Sequence, residues 1–138
     1  MRSTFELDQT ISLVAGTSYF DLHNNFAFSG YEYRPTERKA RFDWVRRDGS
    51  WVPEGLPARL ALIFDGVSNF AAKKRADDMP FTEDDCVASI SFLPKELAEE
   101  FDAICPGHRS EDEHMAISFQ SGSSVKIWAN SVRHEEKA

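Results

Sequence analysis

The sequence predicts an α+β domain: a mainly antiparallel sheet, curled or folded into a small sandwich, with one late helix over about residues 94–104. Three observations carry this. Residues 59–74 read RLALIFDGVSNFAAKK, with Leu60, Leu62 and Phe64 on one parity and Ala61 and Ile63 apolar on the other. That is the pattern of an interior strand covered on both faces, bounded by Pro57 and Asp65-Gly66. Phe dominates the aromatics, and aromatic side chains favour pleated, half-buried surfaces. Finally, a 3.6-residue apolar period occurs once, at Leu97, Phe101 and Ile104.

In chain order, Phe5, Leu7, Ile11 and Leu13 alternate with polar residues, which predicts a strand over 5–13. Gln9 breaks the row, and a short helix is the rival reading. Ala15-Gly16-Thr17-Ser18 is a turn. Phe26 and Phe28 share one parity and Tyr31 and Tyr33 the other, so Gly30, between them, marks a β-bulge. After a turn at Arg34-Pro35-Thr36-Glu37, Ala40, Phe42 and Trp44 return on one face, completing a hairpin. Asp48-Gly49 ends that strand, and a connector with two prolines leads to the interior strand. Residues 71–75 run out as a strand with a basic edge, a device that discourages pairing with other chains.

Residues 76–85, ADDMPFTEDD, form a loop, followed by a strand over 87–93. Pro94 at a first helical position opens the helix, and Pro106-Gly107 stops it. A hairpin closes the fold, with Ile117, Phe119, Val125 and Ile127 inward around Ser121-Gly122-Ser123. The tail HEEKA is expected to fray. No repeat or linker interrupts the 138 residues, so a single domain over 1–138 is expected.

Composition narrows the function. A formal charge of −7 argues against nucleic-acid and anionic-membrane partners. No apolar run is long enough to span a bilayer, and the opening MRSTFELDQT lacks the core of a secretion signal, so a cytoplasmic protein is expected. Cys86 and Cys105 lack CxxC spacing. In a reducing compartment they are read as free thiols, with a disulfide the alternative.

Charge is also segregated. Asp77, Asp78, Glu83, Asp84, Asp85, Glu96, Glu99, Glu100, Asp102, Glu111, Asp112 and Glu113 are set against only Lys95 and Arg109. Such a block is a solubilising surface or an acidic face for a basic partner. Asp84 and Asp85 with His108 and His114 offer oxygen and nitrogen donors, yet no HxxxH or EF-hand spacing accompanies them, so neither metal nor cofactor is expected. Ser123-Ser124-Val125-Lys126 contains S-x-x-K, but at a hairpin turn instead of a helix start. His23 precedes Asn24-Asn25 and reads as a turn residue. No phosphate loop or dinucleotide fingerprint occurs, so an enzyme is not expected. Trp44 falls on a core parity. Trp128 on an outward parity and Trp51 in a connector are the kind of aromatic that anchors interfaces.

The succession FDLHNNFAFSGYEY, LALIFDGVSNF, MPFTEDDCVASISF and ISFQSGSSVKIWA resembles a family of small bacterial single-domain proteins of unknown function. That family is similar in pattern to immunity proteins of polymorphic-toxin systems. The resemblance implies an α+β sheet domain with a toxin-neutralising or other binding role, and brings no catalytic residue. The leading expectation is therefore a protein-binding domain, of immunity-inhibitor type, that offers Asp77, Asp78, Glu83, Asp84 and Asp85 to a basic protein, with Trp51 or Trp128 as anchor. The alternatives are a module that self-associates as a homodimer through sheet edges or aromatic patches, and a metal-assisted hydrolase around Asp84, Asp85, His108 and His114.

Overall fold

Leu60, Leu62 and Phe64 are buried on one side of their strand, and Ala61 and Ile63 on the other, in the computed structural model, which describes residues 1–101, 103–105 and 114–138. The described chain forms strands β1 (Arg2–Ser3), β2 (Glu6–Asp8), β3 (Ser12–Ala15), β4 (Ser18–Asp21), β5 (Phe26–Arg34) and β6 (Lys39–Arg46). There follow β7 (Arg59–Asp65), β8 (Asn69–Lys73), β9 (Val87–Leu93), β10 (His114–Phe119), β11 (Ser124–Trp128) and β12 (Ser131–Lys137). They make a first sheet in the order β1-β12-β7-β6-β5, a second in the order β8-β11-β10-β9, and a small sheet β2-β3-β4. All pairings are antiparallel except β1 with β12.

The inner faces of the two larger sheets share one core. Phe42, Trp44, Leu60, Leu62 and Phe64 come from the first sheet, and Ile90, Met115, Ile117, Val125 and Ile127 from the second. Phe28 on β5 meets Phe119 on β10 with ring centroids 4.6 Å apart, which joins the sheets directly. Leu13 and Phe20 of the small sheet belong to the same core, Phe20 lying edge-on to Phe26. On the opposite face of β7, Ala61 and Ile63 lie in the same region as Arg41 and Glu135, which are themselves paired across neighbouring strands. Long charged side chains cover apolar surface with their stems while their heads stay wet, so β7 is buried on both faces with no second layer outside it among the described residues.

Alternation and turn chemistry read correctly in several places. The β5–β6 hairpin is present, its register shifts between Phe28 and Gly30, and β9, β10 and β11 form where expected. Cys86 and Cys105 are both free.

The α+β expectation is not met: the described chain is built of strands, with two 3₁₀ turns, Phe81–Asp85 and Lys95–Leu97, as its only helical pieces. The late helix over 94–104 is replaced by an irregular strap lying on the second sheet (Asp102 is outside the described residues). Its physical cause lies in the carbonyls. In a helix the Phe101 carbonyl would accept from the Cys105 amide. Here Ser124 Oγ donates to it at 3.2 Å and Ser118 Oγ at 3.5 Å, while the Lys126 ammonium donates to the Ala98 carbonyl. Donors on the sheet have taken the acceptors that a helix needs, and Ile104 of the apolar stripe is left exposed.

Two smaller expectations also fail. Residues 5–13 are not one strand or a short helix but a hairpin, β2 to β3, turning at Gln9 and Thr10, whose φ values are +51° and +60°. Left-handed turns of this kind usually advertise themselves with Gly or Asn. The tail does not fray: β12 pairs with β7 from Ser131 to Lys137 and sends Val132 into the core.

Candidate functional site

The acidic segment is organised by a base. Arg75, just beyond the end of β8, directs Nε to both oxygens of Asp84, at 2.9 and 3.2 Å. Its other nitrogens donate to the carbonyls of Met79 at 2.7 Å, Pro80 at 3.0 Å and Ala76 at 3.2 Å. The guanidinium also lies 4.6 Å from the ring centroid of Phe81, a favourable cation–π position. One planar group with fixed donors therefore ties the whole bend from Ala76 to Asp84, a task suited to Arg and not to Lys. Hydrogen bonding from Arg75, and after it from Ser121, holds the Asp84 carboxyl below its usual range.

The remaining carboxylates divide. Asp85 is met by Arg47 at 3.2 Å, and Asp77 by Lys74 at 3.6 Å across an exposed surface. Asp78 and Glu83 have no ion pair among the described residues. Asp77 and Asp78 are exposed, while Glu83, Asp84 and Asp85 are half-buried. The negative field here is thus smaller than the run of acids implies, and it is concentrated at Asp78 and Glu83, with Asp77 only loosely met by Lys74 across exposed surface.

Trp51 is brought to this end of the molecule and Trp128 is not. The Trp51 indole N–H donates to the Asn24 carbonyl at 3.0 Å, the next carbonyl, Asn25, accepts from the Arg47 amide, and Arg47 reaches Asp85. Trp51 is 63% exposed and Phe81, at the other end of the 3₁₀ turn, 81% exposed. Trp128 lies on the outer face of β11, stacked on His114 with centroids 4.3 Å apart. Phe81, Arg75 and Arg47 were not singled out from the sequence. Arg47 and Asp85 lie 38 residues apart, beyond any local spacing, whereas Arg75 meets partners one to nine residues on, in a run that carries no recognisable motif.

Beside the Arg75–Asp84 pair, a cleft of about 280 Å³ opens between the sheets, lined by Phe28, Tyr31, Phe119 and Val125. Its walls are mostly apolar; Lys73, Arg75 and Asp84 stand along it, but Arg75 and Asp84 are tied to each other, so the described residues offer no acid–base set for chemistry there.

Cys86 and His23 come closest to a reactive couple, with Sγ 3.3 Å from Nδ1. That nitrogen lies 2.7 Å from the Val87 carbonyl, an acceptor only, so Nδ1 carries the proton and donates it there. It is not placed to take a proton from sulfur. Burial pushes the thiol up, against a weaker downward pull from Arg47, which leaves it protonated. The hydrolase grouping does not assemble among the described residues. Arg75 and Arg47 hold Asp84 and Asp85, His114 is buried on the second sheet, and His108 lies outside the described residues. No three His, Cys, Asp or Glu among the described residues converge as metal ligands, and no described helix is long and apolar enough to cross a membrane.

No family model, curated protein or solved structure matches this chain.

Proposed function

We propose that the chain is a protein-binding domain that captures a basic partner on the surface formed by the Phe81–Asp85 turn and Trp51, in the manner of an immunity-type inhibitor. The observation that carries this reading is the pair of exposed aromatics, Trp51 and Phe81, linked to opposite ends of a carboxylate-bearing turn that Arg47 and Arg75 hold in one shape. Exposed aromatic anchors supply most of the energy of many interfaces. A turn already fixed by its own hydrogen bonds loses little freedom on binding. Asp77, Asp78 and Glu83 add the charge that steers a basic partner and rejects an acidic one. The pattern likeness to immunity proteins points the same way.

The test places photo-crosslinkers at positions 51 and 81 in the native cell and identifies what they capture. A basic protein is expected, and the double variant Asp77→Lys, Asp78→Lys should slow its association and flatten the salt dependence of the rate. These two residues are chosen because they are exposed, whereas Asp84 and Asp85 also build the turn. An unchanged on-rate sinks the proposal. Sedimentation decides a second point, because a stable homodimer that buries Trp51 assigns the surface to self-association instead.

A further inference from the structure

The outer face of the second sheet is mostly polar in composition yet has the burial of a core, with Leu93 beside His114 as a buried apolar member. His114, Ala116 and Ser118 come from β10, Ser89 and Ser91 from β9, and Ser124, Lys126 and Trp128 from β11. His114 and Ser124 are 0% exposed, Lys126 2% and Ser91 3%. Polar groups withdrawn from water cost stability unless they find partners, and an ammonium costs most.

The partners are incomplete. Lys126 gives one hydrogen bond, to the Ala98 carbonyl, and its other near neighbours are the rings of Phe101 at 4.2 Å and Trp128 at 5.6 Å. No carboxylate lies within ion-pair distance of it among the described residues. Neither ring nitrogen of His114 has a partner there, and neither does Ser91 Oγ. Register shows how these groups are arranged. Ala116 pairs with Ser91 on one side and Lys126 on the other, and His114 lies two residues along the same strand. Three polar side chains therefore surround one methyl group, that of Ala116, itself 3% exposed. Lys126 contributes to keeping the His114 imidazole neutral, so the two are within electrostatic reach of each other.

Among the described residues, the strap's side-chain hydrogen bonds to this face come from three donors. Its 3₁₀ turn, Lys95–Leu97, buries none of its residues. The strap is fastened by the Ala98 and Phe101 carbonyls, which accept from Lys126, Ser118 and Ser124. Carbonyl oxygens thus sit where the oxygens of an anion would sit, and a charged acceptor bonds an ammonium more strongly than a neutral one does.

We propose that this face is a binding site for a small oxyanion, a carboxylate or a phosphate, held by Lys126, His114 and Ser91 over the Ala116 floor. On binding, the anion takes the Lys126 hydrogen bond from the Ala98 carbonyl and satisfies the hydroxyl and the ring N–H that lack acceptors. The site is separate from the docking surface and does not depend on it.

The experiment titrates the full chain with inorganic phosphate and, separately, acetate, at constant ionic strength and pH 7. It follows the His114 ring resonances by NMR and the thermal midpoint. A saturable shift of those resonances with a raised midpoint is expected, and whichever anion saturates identifies the ligand as phosphate-like or carboxylate-like. Lys126→Met, close in size and uncharged, should weaken binding roughly tenfold or more, the scale of one charge-assisted contact. Ser91→Ala should weaken it severalfold, and serves if Lys126→Met does not fold. No saturable response to either anion overturns the proposal. So does an equal response in Lys126→Met, or in Ser91→Ala where that variant stands in, because this is the result of an adventitious ion only.

Discussion

Arg75 Nε lies between the two carboxylate oxygens of Asp84, at 2.9 and 3.2 Å, while the rest of the guanidinium closes on three carbonyls of the intervening bend. With the Arg47–Asp85 pair and the backbone bonds of the bend, this gives the loop a fixed form. The docking surface depends on that form, since Phe81 and the carboxylates are carried by it.

Arg75→Ala should therefore loosen the loop without unfolding the domain. Arg75 is half-buried and belongs to no core cluster, so global stability is expected to change little. Amide exchange over residues 79–85 should rise about tenfold or more, since several hydrogen bonds are lost at once from one locally opening unit. The pH response separates this from a general effect. The folded carboxyl of Asp84 is held low, so its contribution is present above the ordinary aspartate range and is lost as the pH falls through the lowered value. Wild-type protection of this loop should fade on acidification, and Arg75→Ala should show much less fading, the remainder coming from the Ser121 hydrogen bond to Asp84.

Where the sequence was legible, one local rule was enough. Strand β7, the β5–β6 hairpin with its bulge at Gly30, and the β10–β11 hairpin combine strict alternation with recognisable turn residues. One failure was local, the left-handed turn at Gln9 and Thr10 without Gly or Asn; elsewhere the deciding partner was remote. Leu97, Phe101 and Ile104 have helical spacing, but Ser118, Ser124 and Lys126 take the carbonyls that the helix required. The charged tail hid a strand because only Val132 of β12 is buried in the core, while Arg133, His134, Glu135, Glu136 and Lys137 show no apolar alternation. Of the candidate site, the acids and Trp51 were legible by type, whereas the bases that fix them, Arg75 and Arg47, were not. The Ser, Lys and His positions of the second sheet alternate as a water-facing row should, and nothing in that pattern reveals the strap that covers them.

His114 makes a separate and quantitative prediction about acid. Burial, and after it the charge of Lys126, lowers its pKa from 6.5 to about 4. The folded protein then refuses a proton that the unfolded chain accepts. Stability should fall as the pH drops from about 6.5 towards 4 and level off below that, so far as this residue is concerned. The loss between pH 7 and pH 5 amounts to roughly 2 kcal/mol. Among the described residues Lys126 is the charged side chain that acts on the imidazole, and a lysine does not titrate in this interval. Urea unfolding of wild type and His114→Gln at both pH values checks the point. The variant should lack this part of the pH dependence, and equal slopes for the two proteins would show that His114 does not enter the fold neutral.

The last prediction concerns how Trp51 is presented. Its ring packs so closely over Gly49 that a Cβ at that position would run into the indole. The backbone at Gly49 is not left-handed, so Gly49→Ala strains no dihedral and acts only by displacing the ring. The indole must swing out, and its hydrogen bond to the Asn24 carbonyl should break. Trp44 is fully buried, so the change can be read in difference spectra as a red shift and stronger quenching of the exposed indole population. The charges and the Arg75–Asp84 and Arg47–Asp85 pairs are untouched by this substitution. If Trp51 is the anchor, Gly49→Ala should speed dissociation of the captured partner and leave the on-rate and its salt dependence unchanged, because a displaced aromatic alters short-range contact while charge governs approach. Asp77→Lys with Asp78→Lys should do the reverse. Two variants that altered the same rate constant would deny that anchoring and steering are divided between the aromatic and the carboxylates.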